Sequence, residues 1–406
     1  MGIEMLVYII QAAMLIAAIL LPLWITRGLS VLFPGVDRKS VKAVLMILFL
    51  ILSVLVSAAY FLPAGFFQKW FRRIGYFWMV AEAGLFSGMI LSRILAEVIR
   101  RKRRIPVKTV LKSRFGPASV LLVIGLMTAF VIYGSWNASS NIQVTSYNVE
   151  ADESFGADGE MRVVLVADQH FGYNAGCALA EKMVEKINSL DADLVIFAGD
   201  LFDNQYDAVE DPERLASILA GIQSRYGIYS CFGNHDVEDN LVFGFSFNKG
   251  IQLTDPRYEE FFKKAGIEGL ADETVPVGEA FYLTGRRDYS QTGNASGTRL
   301  APSELTDGLD QSRLILCIDH EPPKNRKAAA EIEAAGIDIL LSGHTHNGQV
   351  LPGNLPMKFI GFNSYGYKVL GGLQSFTTSG VGAFGPYMRV GTKSEVMLID
   401  IHGTAS

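Results

Sequence analysis

Apolar residues fall into two patterns along the chain. In the first third they form four long runs, about Met5–Ile25, Ala43–Leu62, Ile74–Leu95 and Gly116–Tyr133. About 20 apolar residues in a helix span the hydrocarbon core of a bilayer, so these runs predict a transmembrane region of four helices over residues 1–135. Beyond it the sequence turns polar and small, "GSWNASSNIQVTSYNVEADESFGADGE", which predicts a linker and an irregular opening segment over residues 136–160. From 161 to 403, short apolar runs alternate with helical patterns, as in sheets covered by helices. "MRVVLVA", "DLVIFA", "GIYSCF", "RLILCI", "IDILLS", "SFTTS" and "EVMLIDI" read as strands, and Cys177–Leu190, Pro212–Arg225 and about Asn325–Ala335 as helices. This predicts an α/β sandwich in which later antiparallel strands join early β-α-β units.

Charge deepens the division. Residues 1–148 hold 16 Lys and Arg against Glu4, Asp37, Glu82 and Glu97, or +12, whereas the remaining 37 acids and 20 bases give −17. The net charge of −5 hides this split. Basic loops tend to stay cytoplasmic. The first loop carries Arg27, Arg38, Lys39 and Lys42, and the third carries "RRKRR" at 100–104 with Lys108, Lys112 and Arg114. The second has only Lys69, Arg72 and Arg73. Four spans then place the C-terminal domain outside the cytoplasm; if the weakest, third run only lay in the interface, the domain would be cytoplasmic. That run carries Glu82 beside Gly84 and Gly88, which predicts a buried carboxylate in a closely packed helix pair. The "RRKRR" cluster reads as a topology determinant.

The chemistry stands where the strands end. "DQH" (Asp168, His170) follows the first strand, "GDLFD" (Asp200, Asp203) the second, and "GNHD" (Asn234, His235, Asp236) the third. His320 follows "RLILCI", and "GHTH" (His344, His346) follows "IDILLS". Open α/β sheets bind ligands at such strand ends. The chain has six histidines, and only His402 lies outside these motifs. A mixture of carboxylate, imidazole and amide oxygen suits Mn²⁺, Fe²⁺ or Zn²⁺ rather than a thiolate-rich structural zinc site. A pair of such ions can clamp a phosphoryl oxygen and acidify a water.

In these five motifs, matched in order, the segment from 161 to about 400 resembles the calcineurin-like metallophosphoesterases, in the manner of membrane-anchored bacterial members. The resemblance implies an αββα sandwich and two divalent ions. Asp168, His170 and His346 would bind the first ion; Asn234, His320 and His344 would bind the second; Asp200 would bridge them. His235 would serve the leaving group or the phosphate, held in position by Asp203, with Asp236 behind. The implied reaction is hydrolysis of a phosphodiester, pyrophosphate or phosphomonoester by a metal-bridged hydroxide. The tail "TTSGVGAFGPYMRVGTKSEV" resembles the same members' closing segment and makes Arg389 a candidate phosphate contact. Asn347 stands where those members more often have Gly.

A membrane anchor favours a lipid or lipid-linked nucleotide substrate, because it concentrates the site on molecules of its own bilayer. No nucleic-acid partner is expected. The aromatic run "NLVFGFSFNKG" within the long segment 237–319 reads as packing for the following helix, with a substrate wall as the alternative. The sequons at Asn137 and Asn294 read as chance. Cys231 and Cys317 read as core residues, and with Cys177 they make no disulfide framework. The alternative to an enzyme is a metal-stabilised binding or sensor domain, which would usually have lost ligands or His235; this chain keeps them all.

Overall fold

The computed structural model describes every residue except 1, 60, 152–158, 238–240, 243–244, 247–254, 280, 290–298 and 404–406. For 2–15, 241–242 and 245–246 it describes the backbone alone. The chain divides into two units: Met1–Tyr133 with Leu241–Phe245, and Gly134–Asn240 with Ser246–Ser406.

The first unit is helical: α1 (Gly2–Leu32), α2 (Lys39–Ala59), α3 (Phe66–Arg103), the short α4 (Val107–Lys112) and α5 (Phe115–Ser140), whose last turns belong to the second unit. Among the described residues α2, α3 and α5 are long and apolar enough to cross a membrane. In α1 only the stretch Ile16–Leu32 is described in full, so the helix has the expected length in backbone alone. α3 is longer than its apolar run predicts, because its basic end stays helical to Arg103 and closes with Arg104 in the left-handed region. Glu82 is buried, with Ser53 Oγ 3.1 and 3.2 Å from its carboxylate oxygens and Trp78 Nε1 donating to that hydroxyl at 2.9 Å. A Cβ added at Gly84 would stand 2.6 Å from Met127, and one at Gly88 2.8 Å from Val123. The small residues therefore let α3 and α5 approach closely.

The second unit continues with β1 (Ile142–Ala151), β2 (Glu160–Val166), α6 (Cys177–Asn188), β3 (Leu194–Ala198), α7 (Pro212–Leu219) and β4 (Ile228–Cys231); β5 (Leu241–Val242) and the start of β6 (Phe245–Ser246) belong to the first unit, and α8 (Pro256–Ala265) and β7 (Ile267–Leu270) to the second. Then come β8 (Glu273–Val277), β9 (Phe281–Gly285), α9 (Pro302–Leu305), β10 (Leu314–Ile318), α10 (Arg326–Ala334), β11 (Ile339–Ser342), α11 (Asn354–Met357), β12 (Gly366–Leu370), β13 (Leu373–Thr377) and β14 (Ser394–Gly403).

Among the described residues, the strands form sheets in the orders β1-β14-β2-β3-β4-β7 and β12-β13-β11-β10-β9-β8, and a small β5-β6 pair. β2, β3, β4 and β7 run parallel, as do β9, β10, β11 and β13, while β14, β8 and β12 pair antiparallel to their neighbours in these runs. One core lies between the sheets, with Leu165, Ile196 and Cys231 meeting Leu283, Leu316 and Leu341. A second joins the first sheet to α6, α7 and α8; a third joins the other sheet to α10. These layers make the expected sandwich, and strands covered on both faces explain why "LVIFA" is continuously apolar. Helix ends follow local chemistry: α8 is capped by Asp255, has Pro256 at its first position and ends at Gly266 in the left-handed region.

The linker reading fails. α5 continues to Ser140, and Ile142–Ala151 is a ten-residue strand paired parallel with β14 along its whole length. The missed signal is alternation: Thr145, Tyr147, Val149 and Ala151 turn inward, while Ser146, Asn148 and Glu150 face solvent. An edge strand with one wet face looks polar in composition although its period is 2.

Candidate metal centre

Five strand ends converge. Asp168 and His170 follow β2, Asp200 and Asp203 follow β3, and Asn234 and His235 follow β4; His320 follows β10, and His344 and His346 follow β11. All are carboxyl ends of parallel strands, so both sheets deliver side chains to one edge. Beyond the strands the backbones stay paired: Asp168 N donates to Gly199 O at 3.0 Å, His170 N to Asp200 O at 3.0 Å, and Gly343 N to His320 O at 3.0 Å.

The backbone there is strained. Asp168, His170, Asp200, His344 and His346 have φ of 56°, 50°, 54°, 71° and 48°. Side chains other than glycine's rarely adopt this left-handed region, and residues held in it cluster at functional sites. Asn347 shares it at φ 50°, which explains how Asn serves where Gly is expected: its short side chain tolerates that conformation. Gly233 is required by proximity, since a Cβ there would stand 2.2 Å from Asp200 Oδ1.

The side chains form two sets joined by one carboxylate. In the first, His170 Nε2 and His346 Nε2 are 3.1 Å apart, and Asp168 Oδ1 is 3.6 Å from His346 Nε2. In the second, Asn234 Oδ1 is 2.9 Å from His344 Nδ1 and 3.1 Å from His320 Nε2, which are themselves 3.3 Å apart. Asp200 Oδ2 lies 3.1 Å from His320 Nε2 and 3.8 Å from His170 Nε2, so it reaches both sets. His320 Nδ1–H donates to Ala198 O at 2.7 Å, leaving the Nε2 lone pair for its own set.

These positions fit a pair of divalent cations. Carboxylate, imidazole and amide ligand atoms converge at 2.9–3.3 Å in the second set, where protons on the imidazoles bridge them in the metal-free protein and a shared cation can take the protons' place. The triads Asp168/His170/His346 and Asp200/His320/His344 each bring their ligand atoms within 4.8 Å of one another.

Electrostatics agrees. Burial pushes Asp168 up to about 7, with the Asp200 charge adding to the rise, and drives His170 down to about 3 and His344 down to about 4. Burial also opposes charge on Asp200 and His320, but their mutual attraction prevails. Asp200 is held well below the carboxylate range and His320 well above its ordinary value. A buried carboxylate that draws in a proton on its neighbour is suited to exchange that proton for a cation.

His235 stands beside the first set, its ring centroid 4.9 Å from that of His170. Its backbone N–H donates to Asp200 Oδ1 at 2.7 Å. The expected partner of its ring, Asp203, is 3.7 Å from Nδ1, and the close partner of Nδ1 is Asn204 Oδ1. Asn204 was missed because the motif ends one residue before it; its φ of 63° turns the chain back toward His235. Asp236 is structural, since its carboxylate accepts Phe202 N and Gly233 N, both at 2.8 Å, and locks the loops after β3 and β4 together.

Arg389 corrects an expectation. Its side chain is fully buried and donates to Gly382 O, Ser379 O and His346, so it is not placed to meet a phosphate. The aromatic run 240–250 and Asn294 lie outside the residues whose side chains are described. Asn137 is buried, with its amide donating to Arg389 O and Thr392 O, which leaves no room for a glycan. Cys231 and Cys317 are buried core residues, and no cysteine is paired among the described residues.

Residues 161–348 match the calcineurin-like phosphoesterase family. An uncharacterized metallophosphoesterase of Campylobacter jejuni is 26% identical over 285 residues, 68% of this chain and 68% of that protein. A transmembrane protein with metallophosphoesterase domain from Danio rerio is 25% identical over 284 residues, 68% of this chain and 61% of that protein. The UDP-2,3-diacylglucosamine pyrophosphatase of Chlamydia trachomatis is 33% identical over 95 residues, 23% of this chain and 28% of that enzyme. The chain thus spans about three fifths to two thirds of the length of the first two relatives.

Proposed function

This chain belongs to the calcineurin-like metallophosphoesterases, and from that premise we propose that it is a membrane-anchored hydrolase of a phosphodiester or pyrophosphate bond in a lipid or lipid-linked substrate. The observation that carries the reading is Asp200, whose Oδ2 reaches both His320 and His170. Asp168, His170 and His346 would hold one ion, Asn234, His320 and His344 the other, and Asp200 both. When bound, such ions neutralise phosphoryl charge and acidify water.

The remaining work falls to the chain's own groups. With its Nδ1–H donated to Asn204, His235 exchanges a proton with the leaving-group oxygen through Nε2. Asp203, near both His170 and His235, steadies positive charge on the His235 ring. A groove of about 550 Å³ opens beside Asn347, lined by Lys358, Phe362, Tyr365, Tyr367 and Lys368. Two ammonium groups and three aromatic faces suit the non-reacting part of a phosphate-bearing amphiphile.

Support for a lipid substrate comes from the apolar helices and from the pyrophosphatase relative, whose named substrate is a lipid-linked nucleotide. Basic loops one and three support placing the domain outside the cytoplasm. The test is hydrolysis by the full-length protein in detergent micelles, with Mn²⁺ or a chelator. Substrates are bis-(p-nitrophenyl) phosphate, p-nitrophenyl phosphate and UDP-2,3-diacylglucosamine. Metal-dependent cleavage lost in Asp200→Asn supports the reading; a folded protein that binds metal yet cleaves none of the three overturns it.

A further inference from the structure

We propose that the last turns of α5 are a working part of the metal site, and that Asn137 and Arg389 are positioning residues for His346. The inference rests on the two-ion reading above.

Residues 134–140 of this helix belong to the catalytic unit. They grip the backbone of Arg389 from both sides. Arg389 N donates to Gly134 O at 2.9 Å, and Arg389 O accepts from Asn137 Nδ2 at 3.0 Å. The same amide nitrogen donates to Thr392 O at 2.9 Å, so its two protons hold both ends of the 389–392 loop. The approach is close: a Cβ at Gly134 would stand 2.8 Å from Val390 and 2.9 Å from Met388.

From this grip the Arg389 side chain reaches inward. Nε and Nη2 donate to Gly382 O at 2.9 and 2.6 Å, and Nη2 also to Ser379 O at 2.6 Å. Nη2 stands 3.2 Å from His346 Nδ1, and Nη1 is 3.4 Å from His346 O. Gly382 N in turn donates to Asp168 O at 2.9 Å. A guanidinium withdrawn from water is costly unless its donors are met, and here they are met by the loop behind Asp168 and by His346 itself. His346 needs such restraint because its φ is 48°. Among the described residues no hydrogen bond joins Arg389 to Asn234, His320 or His344. The link therefore runs directly from the helix end to the first set, and meets the second one step further on, where the Asp168 carboxylate accepts from His344 N at 3.0 and 3.1 Å.

Selectivity is the test. Full-length metal-free protein in micelles is titrated with Mn²⁺ by calorimetry; the wild type takes up two ions. Asn137→Ala and Arg389→Lys are expected to weaken one ion about 10- to 100-fold, the range for groups that orient a ligand from behind, and to leave the other unchanged. Lys keeps the charge and loses the fork, so it tests the link even if the alanine variant unfolds. Asn188→Ala, which removes a similar amide clamp on Gly221 O at the protein surface, should weaken neither. If both ions weaken together, or neither does, the link is overturned. Hydrolysis assayed in parallel separates the two claims: selective loss without any activity keeps the link and rejects the hydrolase, and activity with uniform loss does the reverse.

Discussion

The rings of His170 and His346 stack at 22°, with centroids 5.0 Å and Nε2 atoms 3.1 Å apart. They come from different sheets and stand 176 residues apart in the chain. Two neutral imidazoles can share at most one proton between such atoms, and a cation satisfies both. Full-length protein should therefore carry two divalent ions by elemental analysis. His346→Ala should carry about one, with activity lowered at least about 100-fold. Two ions in that variant would remove His346 from the site.

His235 offers a different signature. His235→Ala should keep both ions and lose about 10²–10⁴-fold in kcat, with the smaller loss on p-nitrophenyl esters, whose leaving group needs little help from a proton. Asn204→Ala should share the direction with a smaller loss. Equal losses for good and poor leaving groups would argue against proton transfer by this ring.

Metal uptake should depend on pH in a predictable sense. Asp168 is pushed up to about 7 by burial, and His320 is held above its ordinary value, so at neutral pH the metal-free protein carries a proton on His320 and shares one partly with Asp168. His170 and His344, at about 3 and about 4, are already neutral and do not compete. Ligation requires the deprotonated forms, so Mn²⁺ affinity falls as pH drops through about 7, and binding there releases protons. Calorimetry in buffers of different ionisation enthalpy measures this. Affinity flat from pH 6 to 8 would contradict it.

Gly233→Ala tests the crowding behind the bridging carboxylate. The new methyl would lie 2.2 Å from Asp200 Oδ1 and 2.5 Å from Asp200 N, so the loop must shift. Stability should fall by about 1–3 kcal/mol, and metal content should fall with it. Denaturant unfolding and elemental analysis report both; an unchanged variant would mean that the loops after β3 and β4 yield to a methyl group without disturbing Asp200.

Sidedness has a direct test. In a Cys177→Ala background, Lys327→Cys, at a side chain 88% exposed, should react with an impermeant maleimide added to right-side-out vesicles. Lys102→Cys should react only after permeabilisation. The opposite pattern would place the catalytic domain in the cytoplasm.

Much of this protein is legible in one dimension. Apolar runs of membrane length mark the helices, because a bilayer imposes length and composition on each helix separately. The five polar clusters mark the site, because parallel strands deliver their carboxyl ends to one edge whatever the pairing order. Asp168, His170, Asp200, Asn234, His320, His344 and His346 could thus be placed at one edge, and the resemblance of their motifs to a family singled them out as candidate ligands. What tertiary structure alone decided depends on neighbours distant in sequence. β1 is a strand because β14, some 250 residues later, offers its free edge. Asn204 rather than Asp203 closes on His235, because the turn after β3 is left-handed. Arg389, read as a candidate phosphate contact, is buried because the end of α5 and the loop behind Asp168 close around it. Period and composition are local properties and survive in the sequence; the partner of a hydrogen bond is fixed only when the chain has folded.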